Sequence, residues 1–142
     1  DKMINQIKSK FGEPSNTIIA IGDWDQGNVH MKGKEPTKGL GMRKTLRRAG
    51  YMVYLVDEHC SACKCHNCHC KNEKFLYRES KKPKTLGQIQ LVHGLLSCQT
   101  VNGCGSLWNR DVNGCLNIRM LALAALRGEE RPEAFRRAIH TG

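Results

Sequence analysis

The sequence is short of acid, of aromatic rings and of long apolar stretches, and each shortage removes a class of protein. Asp and Glu number 13 against 23 Lys and Arg, a formal charge of +10, so an acidic tail is excluded and an anionic partner such as nucleic acid is favoured over an acidic small molecule. Aromatic residues make up only 6% of the chain and Pro occurs four times, while no glycine repeat or sustained heptad is present, which excludes collagen and coiled coil. The longest apolar stretch, Met120 to Leu126, falls far short of the roughly 18 to 20 residues that a bilayer-spanning helix needs, so a soluble chain is expected. A charged, then apolar, then small-residue leader is also lacking, which sets the expectation of an intracellular protein. The chain opens on Asp1 and runs at once into Met3, Ile4, Ile7 and Phe11, as a fragment of a longer protein would.

Cysteine, by contrast, is abundant. Eight are present, and Cys60, Cys63, Cys65, Cys68 and Cys70 are too crowded for a spread disulfide framework. Thiolates converging on a metal suit this spacing better. Cys65-x2-Cys68 and Cys98-x5-Cys104 form two ligand pairs, the arrangement by which two hairpin knuckles supply four sulfurs to a tetrahedral Zn²⁺. Cys60-x2-Cys63 has the same spacing, and His66, His69 and Cys70 are within reach, so the first pair has alternatives; Cys65 and Cys68 are preferred. Cys60, Cys63 and Cys70 then read as free thiols, and Cys115 as core packing in an apolar helix face.

Residues 1–59 carry an α/β pattern. Asp1 to Phe11 has helical spacing and stops at Gly12. Thr17 to Ile21 is continuously apolar and β-branched, as in a strand buried on both faces, and ends in Gly22-Asp23-Trp24-Asp25. A basic, glycine-interrupted stretch follows, with Lys32, Lys34, Lys38, Arg43, Lys44, Arg47 and Arg48, tightening into a helix from Met42 to Ala49 that Gly50 closes. Tyr51 to Val56 reads as a second strand ending in Asp57-Glu58. Ligands of open α/β sheets bind at the carboxyl ends of strands, which makes Asp23 and Glu58 candidates. Residues 60–108 form a small cysteine-rich module with a basic tip at Lys81, Lys82 and Lys84. Residues 109–128 form a last helix, with Asp111 where an N-cap would stand, and 129–142 a surface helix or loose tail. His93, beside Gly94, is either structural or a nucleic-acid contact.

The run Gly50-Tyr51-x-Val53-Tyr54-Leu55-Val56-Asp57-Glu58, then Cys65-x2-Cys68, a second cysteine pair, and Trp108-Asn109-Arg110-Asp111-Val112-Asn113-Gly114-Cys115-Leu116-Asn117-Ile118 resembles the C-terminal part of the Fanzor and TnpB proteins, transposon-encoded RNA-guided DNA endonucleases. Ile21-Gly22-Asp23-Trp24 and Met31-Lys32-Gly33 look more like the eukaryotic Fanzor branch. The resemblance covers roughly residues 17 to 127. It implies an incomplete RNase H-like (RuvC-type) α/β domain with an inserted four-cysteine zinc ribbon. Asp111 matches the final aspartate of the family's Asp, Glu, Asp site. The middle glutamate of most TnpB proteins aligns with Gly22 here, and Glu58 matches the substitute location of Fanzor-like members, which leaves Asp23 as an outer-shell group.

The first aspartate of that site is expected to be missing from this chain. Further implications are structural Zn²⁺, catalytic Mg²⁺ in the complete protein, guide RNA and target DNA as partners, no membrane, and a nuclear location if the source is eukaryotic. The lysines and arginines of the basic stretch and of the tip would neutralise phosphates without reading bases. The competing expectation is a zinc-dependent nucleic-acid-binding module or transposon remnant without chemistry. A zinc ribbon serving protein contacts in transcription or translation leaves Asn109 to Asn117 unexplained.

Overall fold

The computed structural model describes residues 1–23 and 39–138, the side chains of 39 and 40 excepted, and divides into two compact units, Asp1–Asp57 and Glu58–Gly142. Lys32, Lys34 and Lys38, together with Trp24 and Asp25, lie outside the described residues. No described helix is long and apolar enough to cross a membrane.

In the first unit, helix α1 (Lys2–Phe11) starts where the Asp1 carboxylate accepts the Met3 N–H at 2.9 Å, which satisfies an amide that no helical carbonyl can reach. It stops at Gly12, whose φ of 107° few other residues tolerate and whose N–H still bonds Lys8 O. Strands β1 (Ile18–Gly22) and β2 (Met52–Val56) pair in parallel, Ile18 opposite Met52 and Gly22 opposite Val56, with α2 (Gly39–Arg48) between them in the chain. Ile4, Leu46 and Tyr51 are buried together, and Ile19, Ile21 and Val53 pack on them. The Tyr51 hydroxyl, carried inward with its ring, donates to Gly12 O at 2.8 Å and ties the second strand to the end of α1.

Both strands are half-covered, contrary to the expectation that Thr17 to Ile21 is buried on both faces. Side chains alternate across a strand. Ile19, Ile21 and Val53 meet the cluster, whereas Ile18 and Met52 are 48% and 62% exposed, because within this unit the described helices pack on the face that carries Ile19, Ile21 and Val53.

The second unit opens with the turn after Glu58 and contains two antiparallel hairpins. β3 (Tyr77–Glu79) pairs with β4 (Ile89–Leu91), and β5 (Leu95–Ser97) with β6 (Leu107–Asn109). The basic tip joins β3 to β4. It is held by hydrogen bonds, Ser80 Oγ to Thr85 Oγ1 at 2.7 Å and Gly87 N–H to Ser80 O at 3.2 Å, so the exposed Lys81, Lys82 and Lys84 project from an ordered turn. β6 runs directly into α3 (Arg110–Leu126).

Three details of α3 and the tail depart from expectation. Asn109, and not Asp111, is the N-cap: its side-chain oxygen accepts the Asp111 and Val112 amides at 2.9 and 3.2 Å. Cys115 is exposed and does not pack in a core, because the buried stripe of α3 consists of Asn113, Asn117, Leu121, Ala122 and Ala124. The tail is not loose over its described part. Phe135 is fully buried with its ring 5.2 Å from that of His69, and Arg131 donates to Phe135 O at 2.7 Å and His59 O at 3.3 Å.

Candidate metal centre

The sulfurs of Cys65, Cys68, Cys98 and Cys104 all lie within 4.8 Å of one another. Cys65 to Cys104 is 3.6 Å and Cys68 to Cys98 is 3.3 Å. Bonds of about 2.3 Å from one tetrahedral Zn²⁺ would hold sulfurs about 3.8 Å apart, so the four can receive a metal such as zinc with shifts of no more than about 1 Å. Among the described residues this is the only gathering of three or more His, Cys, Asp or Glu ligand atoms. The preferred pair and its partner pair therefore converge, and Cys60 and Cys63 stand apart, the Cys63 thiol directed to Cys60 O at 3.5 Å.

Each pair is shaped by a tight turn. In the first, Cys65 N–H bonds Cys70 O at 2.7 Å and His69 N–H bonds Cys65 O at 2.8 Å; in the second, Cys98 N–H bonds Ser106 O at 2.9 Å and Gly105 N–H bonds Cys98 O at 2.8 Å. The residue after the second ligand has positive φ in both, 63° at His69 and 76° at Gly105. The backbone thus wraps each sulfur pair in the same way, with glycine supplying the required conformation once and His69, stacked edge-on with Phe135, adopting it the second time.

Gly103 meets a different demand. A Cβ there would sit 2.4 Å from Cys98 O and 3.0 Å from Cys98 Sγ, so the turn closes only with hydrogen at this position. Gly103→Ala is expected to lower the stability of the metal-loaded chain by about 1 to 3 kcal/mol through forced displacement of the second knuckle. Urea unfolding of the zinc-loaded variant measures this, and an unchanged midpoint would contradict the close approach.

Four thiolates around Zn²⁺ carry net negative charge, and nearby donors offset it. The Cys70 amide, and behind it the Cys98 thiol, bring Cys68 down to about 6, against the opposing effect of burial. The Ser106 hydroxyl and amide lower Cys104, the hydroxyl standing 3.0 Å from the sulfur. Trp108 Nε1–H donates to Cys65 Sγ at 3.2 Å. Cys98, buried and beside Cys68, is pushed up to about 12 and keeps its proton in the metal-free chain. A metal must expel that proton, so affinity falls as pH falls.

Helix α3 grips the first knuckle through two buried asparagines one turn apart. Asn113 accepts the His66 N–H at 2.9 Å and donates to Lys64 O at 2.8 Å. Asn117 donates to Ser61 O and Lys64 O, both at 2.8 Å, and its oxygen lies 3.1 Å from His66 Nδ1. These residues, with Trp108 and Ser106, were missed as site residues by sequence reasoning. The signal available was the pair of asparagines at i and i+4, a spacing that sets both on one helical face.

The remaining candidates are placed as follows. Asp23, at the carboxyl end of β1, bonds Val56 O through its N–H at 2.7 Å and pairs with Arg43 at 3.6 Å. Arg43, 14% exposed, also donates to Gly22 O at 3.5 Å and is engaged in the first unit, whereas Lys44, Arg47 and Arg48 are exposed on α2. Glu58 is half-buried, its carbonyl accepting the Ser61 N–H at 2.9 Å, and Asp111 is exposed in the first turn of α3. His93 Nδ1 lies 2.7 Å from Lys74 Nζ at the surface of the ribbon. No protein-family model matches this chain, and no curated protein matches it significantly.

Proposed function

We propose that this chain is the C-terminal, zinc-ribbon-bearing part of an RNA-guided, Mg²⁺-dependent DNA endonuclease of the Fanzor/TnpB kind, an RNase H-like domain in which Glu58 and Asp111 are metal ligands. One observation carries the reading. The turn that follows Glu58 is held against α3 by the Asn117 bond to Ser61 O at 2.8 Å, while Ser61 N–H bonds Glu58 O at 2.9 Å, so the segments bearing the two carboxylates share one compact unit. With Asn109 as cap, the Asp111 side chain is not consumed in starting its helix. The parallel β1–β2 pair, which runs up to Asp57 next to Glu58, supports the α/β part of the reading.

Zn²⁺ would be held by Cys65, Cys68, Cys98 and Cys104 and would supply rigidity, not chemistry. The two carboxylates would bind Mg²⁺, which in such sites activates water and stabilises a departing phosphate oxygen. Lys44, Arg47 and Arg48, with Lys81, Lys82 and Lys84, would neutralise phosphates, leaving base choice to a guide RNA. Two carboxylates are few for a tight Mg²⁺ site, so the chain alone is expected to cleave DNA weakly or not at all.

The test is paramagnetic. Mn²⁺ added to the zinc-loaded chain should broaden the backbone amides of Glu58 and Asp111 together, and Glu58→Gln or Asp111→Asn should each abolish the effect at both positions. Broadening at one of them only, or at neither, would remove the nuclease reading. A zinc-dependent nucleic-acid binder without chemistry would then remain. That second reading is favoured by the thiol cluster being the only many-ligand gathering among the described residues, and it requires salt-dependent affinity that the same two substitutions leave unchanged.

A further inference from the structure

The arm made by β3, β4 and the turn between them keeps its apolar side chains outside. Tyr77 and Ile89 share one face of the ribbon, 65% and 69% exposed, and Leu86 in the turn is 71% exposed. Ser80 is the only buried residue from Tyr77 to Leu91, and it organises the turn. Its Oγ lies 2.7 Å from Thr85 Oγ1 and accepts the Lys82 N–H at 3.3 Å, while its N–H bonds Gln88 O at 2.8 Å. A bond from Thr85 N–H to Lys82 O at 3.0 Å closes the chain over Pro83. The turn is thus held by its own hydrogen bonds with no apolar core beneath it. On it stand Lys81, Lys82, Pro83, Lys84 and Leu86, all exposed, and Glu79 is the only acid from Tyr77 to Leu91.

A lone exposed leucine is ordinary, but a leucine on an ordered turn with three lysines has the chemistry of an inserting tip. We propose that this arm kinks double-stranded DNA: Leu86 enters between two stacked base pairs from the minor groove, and Lys81, Lys82 and Lys84 hold the phosphates beside it. The inference goes beyond both functional readings, which need only phosphate contacts, and rests on the nucleic-acid binding that they share. Separating a base step costs a few kcal/mol, so the inserting side chain must be presented already ordered, or the entropy of fixing it adds to that cost. The Ser80 bonds meet this demand. The aliphatic tip also decides between duplex and single strand. Unpaired bases stack on flat rings, whereas leucine and proline are among the side chains that open duplex steps. Tyr77, the one aromatic ring from β3 to β4, stands on the strand and not in the turn.

The full chain, without added Mg²⁺, is titrated into a short DNA duplex labelled at both ends for energy transfer. At a central TA step, where base pairs separate readily, the duplex carries an adenine analogue whose emission is quenched by stacking. Saturation should bend the duplex by about 20° to 90° and raise the emission. Leu86→Ala should lose both signals yet keep the salt dependence of affinity, and Leu86→Met, which retains an inserting side chain, should keep all three. Because the side chain is at the surface, the amide spectrum of Leu86→Ala should match that of the unaltered chain outside the turn. Replacing Lys81, Lys82 and Lys84 together by Ala should reduce the slope of log affinity against log salt by about 2 to 3. A saturated duplex that stays straight and stacked overturns the proposal alone and leaves nucleic-acid binding standing. A bend that Leu86→Ala retains, a slope indifferent to the lysines, or a preference for the separated strands overturns it as well. Absence of binding to either form of DNA would overturn the nucleic-acid reading together with the proposal, which separates the two failures.

Discussion

Stripping zinc from the loaded chain with a chelator is expected to unfold the ribbon and release α3, while the α1–β1–α2–β2 unit keeps its structure. The argument is one of scarce burial. Among the described residues of the second unit, the buried apolar ones apart from Cys65 and Cys98 are Leu96, Leu121, Ala122, Ala124 and Phe135, two of them alanine. Its β-hairpins are three residues per strand, too short to be stable in isolation. Structural zinc contributes on the order of 10 kcal/mol or more, which exceeds what so small a core supplies. The first unit has its own cluster of Ile4, Leu46 and Tyr51, and none of the four converging cysteines belongs to it.

Amide spectra of the full chain, recorded before and after chelation, measure both halves of this expectation. Signals from Lys64, Cys98 and Asn113 should collapse into the unfolded envelope, and those of Ile4 and Val53 should hold their positions. Persistence of the dispersed Cys98 and Asn113 signals without metal would show that the ribbon folds by packing alone. Acidification should act in the same direction as the chelator. Thiolate ligands must be free of protons, and burial holds the Cys98 thiol of the metal-free chain up at about 12, so falling pH favours its protonated form over metal binding.

Asn117→Ala is expected to destabilise the zinc-loaded chain by about 3 to 5 kcal/mol, more than any single surface substitution should. Asn117 is fully buried and serves three partners. Its removal strands Ser61 O and leaves His66 Nδ1 without its side-chain neighbour, while Lys64 O retains only Asn113. Each buried polar group left unpaired costs about 1 to 3 kcal/mol, and the cavity adds to this. Asn109→Ala, which removes a cap at an exposed helix start, should cost about 1 kcal/mol. Urea midpoints of the two zinc-loaded variants decide the matter. An Asn117→Ala chain as stable as Asn109→Ala would mean that the asparagine latch contributes little beyond an ordinary surface bond.

What was legible in the sequence was legible because local chemistry decides it. Helix α1 is bounded by an aspartate that caps it and a glycine that ends it, and the observed bounds follow. The thiol pairs announce themselves through spacing, and Cys65, Cys68, Cys98 and Cys104 do converge, whereas Cys60 and Cys63, equally spaced, do not join them. The parallel pairing of β1 with β2 follows the helix that separates them in the chain.

What was not legible depends on distant partners. Periodicity counts apolar residues, so it set Cys115, which is exposed, among the packed residues of α3 and overlooked a buried stripe that begins with two asparagines. Phe135 was read as part of a tail because its partner, His69, is far off in sequence. Glu58 and Asp111 were singled out by resemblance, and no local rule distinguishes them from solvated acids.

The polar stripe of α3 has a further consequence. An oily helix face tolerates small rolls about its axis, because one methyl contact replaces another at little cost. Asn113 and Asn117 instead read individual carbonyls and an amide on the loop around Cys65, and a roll by a single residue, about 100°, would miss every one of them. The helix is therefore indexed to the first knuckle in discrete steps, and the compass bearing of Asp111 on its circumference is set by the loop that carries Cys65 and Cys68.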